Sequence, residues 1–190
     1  VYLYDEQTSP LNTTDIEGDR FTLTLPASEI LRGIEEGLEN DIEAQVERVH
    51  NALLAWEQEV QVGFAKKGVF EEVKDFNGNG EIDSEDREYF KKHRAPLTRL
   101  NIKYQRMFTG AFMYASSHHV GIGYGSIEGA MNGTPFKFDS NGNLTNSKDG
   151  SLFGWGIAHE IGHVHDRPGL TYAETTNNIC LLYTSDAADD

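Results

Sequence analysis

The sequence predicts an α+β domain, on three observations. Strand patterning dominates the first 25 residues. A long run of apolar residues spaced three and four apart follows. Near the other end, a short helical stretch carries His159-Glu160-Ile161-Gly162-His163, the pattern H-E-x-x-H.

Val1-Tyr2-Leu3-Tyr4 is apolar, and Phe21-Thr22-Leu23-Thr24-Leu25 alternates with period two, as a half-buried strand does. Residues 1–27 therefore read as an N-terminal strand region. Pro26 ends the strand and Ser28 is placed to cap a helix. Ile30, Ile34, Leu38, Ile42 and Val46 recur at four, and Val49, Leu53, Trp56 and Val60 continue at three and four. This predicts helix over residues 28–64, divided in two at Gly37 and Asn40-Asp41.

Residues 75–86, DFNGNGEIDSED, match the calcium loop of an EF-hand in most places. Asp75, Asn77 and Asn79 supply side-chain oxygens, Gly80 the sharp turn, Glu81 a backbone carbonyl, and Asp83 and Asp86 further carboxylates. Asp86 stands where glutamate is usual, which resembles the dockerin-type variant. A Gly-Asn turn before a helix starting near Ser84 fits the same residues. One such loop points to a structural clip inside the domain and not to a cohesin-binding module.

Residues 100–114, with Met107, Phe108, Phe112, Met113 and Tyr114 as core candidates, are expected to be helical. Val120-Gly121-Ile122-Gly123-Tyr124-Gly125 reads as a short strand, and glycine in a strand marks close approach by a backbone or ligand. His118 and His119 are expected at a polar surface or rim. Phe136-Lys137-Phe138 and Leu144 flank a polar turn and look like a hairpin. Residues 180–190, CLLYTSDAADD, resemble the translation of a sequencing-library adaptor and are set aside as foreign. They contain the single cysteine, so the rest has no disulfide framework and no thiol nucleophile. The native chain is expected to continue past Ile179.

The net charge of −15 argues against nucleic acid and anionic membranes as partners. No apolar run reaches membrane-spanning length, so no transmembrane segment is expected, and no signal peptide is visible.

Two histidines four apart on a helix point the same way, so His159 and His163 can reach one zinc ion. At about 100° per residue, Leu152, Trp155, His159, His163 and Asp166 share one stripe, and Phe153, Ile157, Ile161 and Val164 share a core-facing one. Glu160 falls between them, where a base for a bound water belongs. His165 lies on the far side. An amphipathic helix with two surface histidines is the plain alternative.

A catalytic zinc takes three protein ligands and leaves a fourth position open. Asp166 lies one turn further along the same rod, where three ligands in a row converge poorly. Glu174 is the preferred third ligand: Asp166-Arg167-Pro168-Gly169 ends the helix, and a second helix starting near Thr171 can return Glu174 over the metal. Thr171-x-x-Glu174 also fits a capping box. Asn177 and Asn178 are candidates to orient the ligands from outside.

Gly154-Trp155-Gly156-Ile157-Ala158-His159-Glu160-Ile161-Gly162-His163, followed by Ala173-Glu174-Thr175-Thr176-Asn177-Asn178, resembles the enhancin-like, mucin-degrading gluzincin peptidases. Residues 106–114 and 119–126 also look like that family's segment before its active-site helix. The resemblance implies a zincin-like catalytic domain over residues 28–179, incomplete at its C-terminal side, with a calcium loop inserted at 75–86. It implies a secreted or cell-surface zinc endopeptidase with Glu160 as base and His159, His163 and Glu174 on zinc, acting on protein or glycoprotein substrates, often mucin-type. In such a peptidase an edge strand beside the zinc pairs with the substrate, and Gly121, Ile122, Gly123 and Tyr124 are the candidates. A poorly active chain is expected, because the group that stabilises the oxyanion should lie further on. The alternative is a calcium-stabilised glycoprotein-binding module whose metal site does not catalyse.

Overall fold

The computed structural model describes residues 7–8, 11–107, 110–146, 152–167, 169–170, 172, 174–176 and 178. The strand expected at Val1-Tyr2-Leu3-Tyr4 and the tail at 180–190 lie outside the described residues.

Two antiparallel strands come first, β1 (Thr14–Glu17) and β2 (Phe21–Leu25). Phe21, Leu23 and Leu25 are buried and the threonines between them are half-buried, as the period-two pattern expects. The helical stretch forms as α1 (Ala27–Glu35) and α2 (Ile42–Lys67). It breaks where Gly37 takes a φ of 71° and where the Asp41 side chain accepts from Ala44 N–H to start α2. Gly68, at a φ of 65°, ends α2. Ser28 does not cap α1. It lies inside the helix, and Asn12 serves instead: its Oδ1 accepts from Ser28 N–H and its Nδ2 donates to Ser28 Oγ, both at 2.9 Å. A distant residue supplies the cap, which no local pattern announces.

After α3 (Ser84–Lys92) come β3 (Leu100–Tyr104), β4 (Met113–Ala115) and β5 (His119–Ile122), and the last helix is α4 (Trp155–Val164). The helix expected over residues 100–114 is thus replaced by two strands. Leu100 and Ile102 are buried and Asn101 and Lys103 are not, a period of two over too few residues to outweigh the mixed pattern after it. The sheet order is β1-β2-β3-β5-β4. β3 runs parallel to both β2 and β5, and β4 pairs antiparallel to β5. β3 therefore bonds on both edges to strands far away in sequence.

α1, α2 and α4 cover one face of this sheet. Phe21, Leu23, Ile102, Val120 and Ile122 pack there against Trp56, Val60, Ile157 and Ile161 in one core. Each fully buried large apolar side chain contributes roughly 1.5–3 kcal/mol. Trp56 keeps its one polar atom satisfied by donating from Nε1 to Ala130 O at 2.9 Å. The hairpin expected around residues 136–144 is a single bridge, Phe138 to Leu144, closed over a turn in which Asp139 accepts from Asn141 and Asn143 N–H. The fold is α+β, as the patterning indicates.

Candidate metal centre

α4 begins at Gly154, whose φ of 74° turns the chain from the Thr134–Leu152 bridge into the helix. Ile157 and Ile161 anchor the helix to the core, and the opposite face carries His159 and His163. Their rings meet edge to face with centroids 4.8 Å apart. His159 is 8% exposed, and Trp155 stacks on it at 4.5 Å.

Glu174 comes to the same point from beyond the helix. Its Oε2 lies 3.1 Å from His159 Nε2, and its Oε1 lies 3.4 Å from His163 Nε2. The donor atoms of the three residues all fall within 4.8 Å of one another. Donors about 2.1 Å from a tetrahedral zinc lie about 3.4 Å apart, so two imidazole nitrogens and a carboxylate at these separations fit zinc in chemistry and in spacing.

The segment that carries Glu174 is a turn, not the helix expected from near Thr171. Thr175 and Thr176 both donate to Tyr172 O, and Glu174 itself has a φ of 64°. A residue in the left-handed region cannot propagate a right-handed helix, and for glutamate that conformation costs about 1–2 kcal/mol. Asn178 steadies it. Its Nδ2 donates to Glu174 O and its Oδ1 accepts from His159 Nδ1, each at 2.9 Å. Asn178 thus touches both His159 and Glu174. Asn177 lies outside the described residues.

Asp166 is not among these donors. Its Oδ2 lies 3.8 Å from His163 Nδ1, the ring nitrogen turned away from Glu174. His165 points into the core, edge-on to Phe64 and donating from Nδ1 to Ile161 O, and burial pushes its pKa down to about 4.

Glu160 is half-buried on the wall of an open cleft of about 500 Å³, lined by residues 113–117 and by His159, Glu160, His163 and Glu174. Burial holds its carboxyl above the usual carboxylate range. The Glu174 charge adds to that, while His159, His163 and the peptide N–H of Ala115 act against it.

Ala115 belongs to β4, which is the edge of the sheet. This corrects the expectation for Gly121, Ile122, Gly123 and Tyr124. β5 has β3 on one side and β4 on the other, so it has no free edge. Close approach does explain Gly121, but the neighbour is the Tyr114 ring, which lies 2.0 Å from where a Cβ would sit. Tyr124 is in a 3-10 turn and donates its hydroxyl to Glu29. Phe112 accepts from Gly123 N–H, and Ser116 donates to His119 O. Bonded pairs alternate along an antiparallel ladder, so Met113 and Ala115 turn their peptide groups outward. Three residues, Met113 to Ala115, are too few for periodicity to find. His119 sits in β5, with Nε2 2.7 Å from the Tyr114 hydroxyl, and has no part in the centre.

In the 75–86 loop, Asp75 accepts from Gly78, Asn79 and Gly80 N–H, which folds the loop around its carboxylate. Asn77 and Asn79 turn amide nitrogens toward Asp83 Oδ2, at 3.4 and 2.8 Å. Glu81 donates its N–H to Asn79 Oδ1. Asp86 is fully buried, accepts from Phe76, Asn77 and Asp83 N–H, and completes a capping box with Asp83 at the start of α3.

Two histidines one helical turn apart, a converging carboxylate and a half-buried glutamate facing a sheet edge make up a metallopeptidase-type centre. Residues 81–190 match the family described as peptidase M60, enhancin and enhancin-like. The chain belongs to that family. Its fold is similar to the M60 catalytic domain of ZmpC from Clostridium perfringens, solved in complex with the sialyl T antigen, at 21% identity and a TM-score of 0.57. It is also similar to the ZmpB metallopeptidase (19%, 0.58) and the catalytic module of the metalloprotease ZmpA (17%, 0.57) of the same organism. These matches cover 94% of this chain but only 27%, 27% and 28% of those chains, so the chain spans about a quarter of their length. No curated protein matches it. No helix among the described residues is long and apolar enough to cross a membrane.

Proposed function

We propose that this chain is part of a secreted or cell-surface zinc endopeptidase that cuts peptide bonds in mucin-type O-glycosylated proteins. The observation that carries the reading is the convergence of His159 Nε2, His163 Nε2 and the Glu174 carboxylate beside Glu160. Zinc, when bound, supplies a Lewis acid that polarises a carbonyl and lowers the pKa of water. Glu160 takes the proton of a water in the cleft and returns it to the leaving amine. The outward peptide groups of β4 align an extended substrate by main-chain hydrogen bonds. The glycoprotein class rests on family membership and on the glycan held by the ZmpC domain.

Digestion of an O-glycosylated mucin-type protein and its deglycosylated form by an intact homologous chain, with and without a chelator, tests this. The glycosylated form should be cut, the chelator should stop the cutting, and zinc should restore it. Cleavage indifferent to the chelator removes the metal from the reaction. Equal cleavage of both forms removes the glycan from the substrate class.

We propose in addition that the 75–86 loop holds calcium through Asp75, Asn77, Asn79, Asp83 and the Glu81 carbonyl. Turning the Asn77 and Asn79 amides over would point oxygens inward. Asp86, tied to three peptide N–H groups, shapes the loop.

A further inference from the structure

Lys66 lies in the last turn of α2, far from α4 in sequence, yet its side chain is only 5% exposed. Its ammonium donates to Gly162 O at 2.7 Å and to Asp166 Oδ1. Gly162 is the residue before His163, and Asp166 follows it by three. Thr176, two residues after Glu174, donates from Oγ1 to Tyr172 O at 2.9 Å and places the same oxygen 3.4 Å from Asp166 Oδ1. The other oxygen of Asp166 faces His163 Nδ1 at 3.8 Å, while His163 Nε2 faces Glu174. One buried ammonium therefore ties the helix turn that bears His163 to the carboxylate behind its ring, next to the segment that brings in Glu174.

Such a group is costly for folding alone. A buried ammonium loses its hydration, and an apolar side chain of similar length would fill the space at less expense. Its bonds go to the surroundings of a single metal-facing ring. Ligating histidines present one nitrogen to the metal and give the other N–H to a carboxylate or carbonyl, which fixes tautomer and ring angle.

We propose that Lys66 and Asp166 are positioning residues for the metal centre. Lys66 fixes Asp166 and the end of α4, and the Asp166 charge, 3.8 Å from His163 Nδ1 and so beyond a direct hydrogen bond, favours the tautomer with Nδ1–H on that side and Nε2 toward the metal. This rests on the metal-centre reading above. The pairing predicts that the two residues act as one unit.

The test is cobalt(II) and zinc affinity, by chelator competition, for this chain and for Lys66→Met, Lys66→Arg, Asp166→Asn and the double variant Lys66→Met/Asp166→Asn. Thermal melts of the metal-free forms run beside it. The two single losses, Lys66→Met and Asp166→Asn, should each weaken binding by roughly 10–100-fold, the range for outer supporting groups. The double variant should bind no more weakly than the worse single, Lys66→Arg should recover most of the affinity, and the cobalt absorption bands should shift in Asp166→Asn. If Lys66→Met fails to fold, the isosteric Asp166→Asn decides alone. Unchanged affinity and unchanged cobalt bands in folded Asp166→Asn would overturn the proposal, as would fully multiplicative losses in the double variant. Failure of the unaltered chain to bind either metal is a different result: it strikes the metal-centre reading itself.

Discussion

Ala115, in the edge strand β4, and Glu160, on α4, line the same cleft, and the peptide N–H of Ala115 favours the charged form of the Glu160 carboxylate. This proximity sets the sheet edge, where a substrate backbone would lie, against the residue that would move a proton. Glu160→Gln keeps the shape of that contact and removes the basic oxygen. Metal content and melting temperature should stay as they are, and turnover should fall by roughly 10²–10⁴-fold. Steady-state kinetics on a folded, metal-loaded variant checks this, and near-normal turnover takes Glu160 out of the reaction.

Glu174 reaches the two histidines from a turn outside the helix, held in a left-handed conformation. Glu174→Ala removes one of three donors and should weaken zinc binding by more than the 10–100-fold typical of a supporting residue. Metal analysis after dialysis against a weak chelator measures it. Unchanged zinc content would hand the third position to another residue.

Calcium at the 75–86 loop should stabilise the fold without touching the chemistry. At a hundredfold excess over Kd, a ligand of the folded state adds about 2.7 kcal/mol, several degrees in melting temperature for a chain of this size. Asp75→Ala, which removes the carboxylate around which the loop folds, should abolish that rise. A melting curve indifferent to calcium leaves the loop as a turn and helix cap.

Glu59 is fully buried in α2 with neither carboxylate oxygen hydrogen-bonded, and burial raises its pKa to about 8. An unfolded glutamate titrates near 4.3, so the folded state holds the proton more tightly. The contribution of Glu59 is therefore most favourable below pH about 4.3, and is lost as pH rises from there to about 8. Glu59→Gln has no proton to lose. It should match the unaltered chain near pH 4 and exceed it at pH 8 by on the order of a few kcal/mol. Denaturant unfolding at the two pH values checks it, and a constant difference between them would show that Glu59 has a partner or access to water.

The centre was legible where its residues are close in sequence. His159, Glu160 and His163 are set by one helical turn, and the helix that carries them is strongly patterned, so their shared face follows from the sequence alone. The position of Glu174 followed from a count of donors, but the turn that presents it did not. A left-handed glutamate depends on Asn178 and on what surrounds it.

The sequence by itself determined the α+β class, β2, the division of the long helix at Gly37 and Asp41, and the shared face of His159 and His163 on α4. These depend on periods of two and 3.6 and on caps a few residues away. Only the tertiary structure decided that β4 is an edge strand and β5 an inner one, that Asn12 caps α1, and that Lys66 and Asp166 stand behind His163. Each of these joins groups separated along the chain, from Tyr114 beside Gly121 to Lys66 beside Asp166. Such contacts are chosen by which surfaces the packed sheet and helices bring together, and local spacing carries no record of that choice.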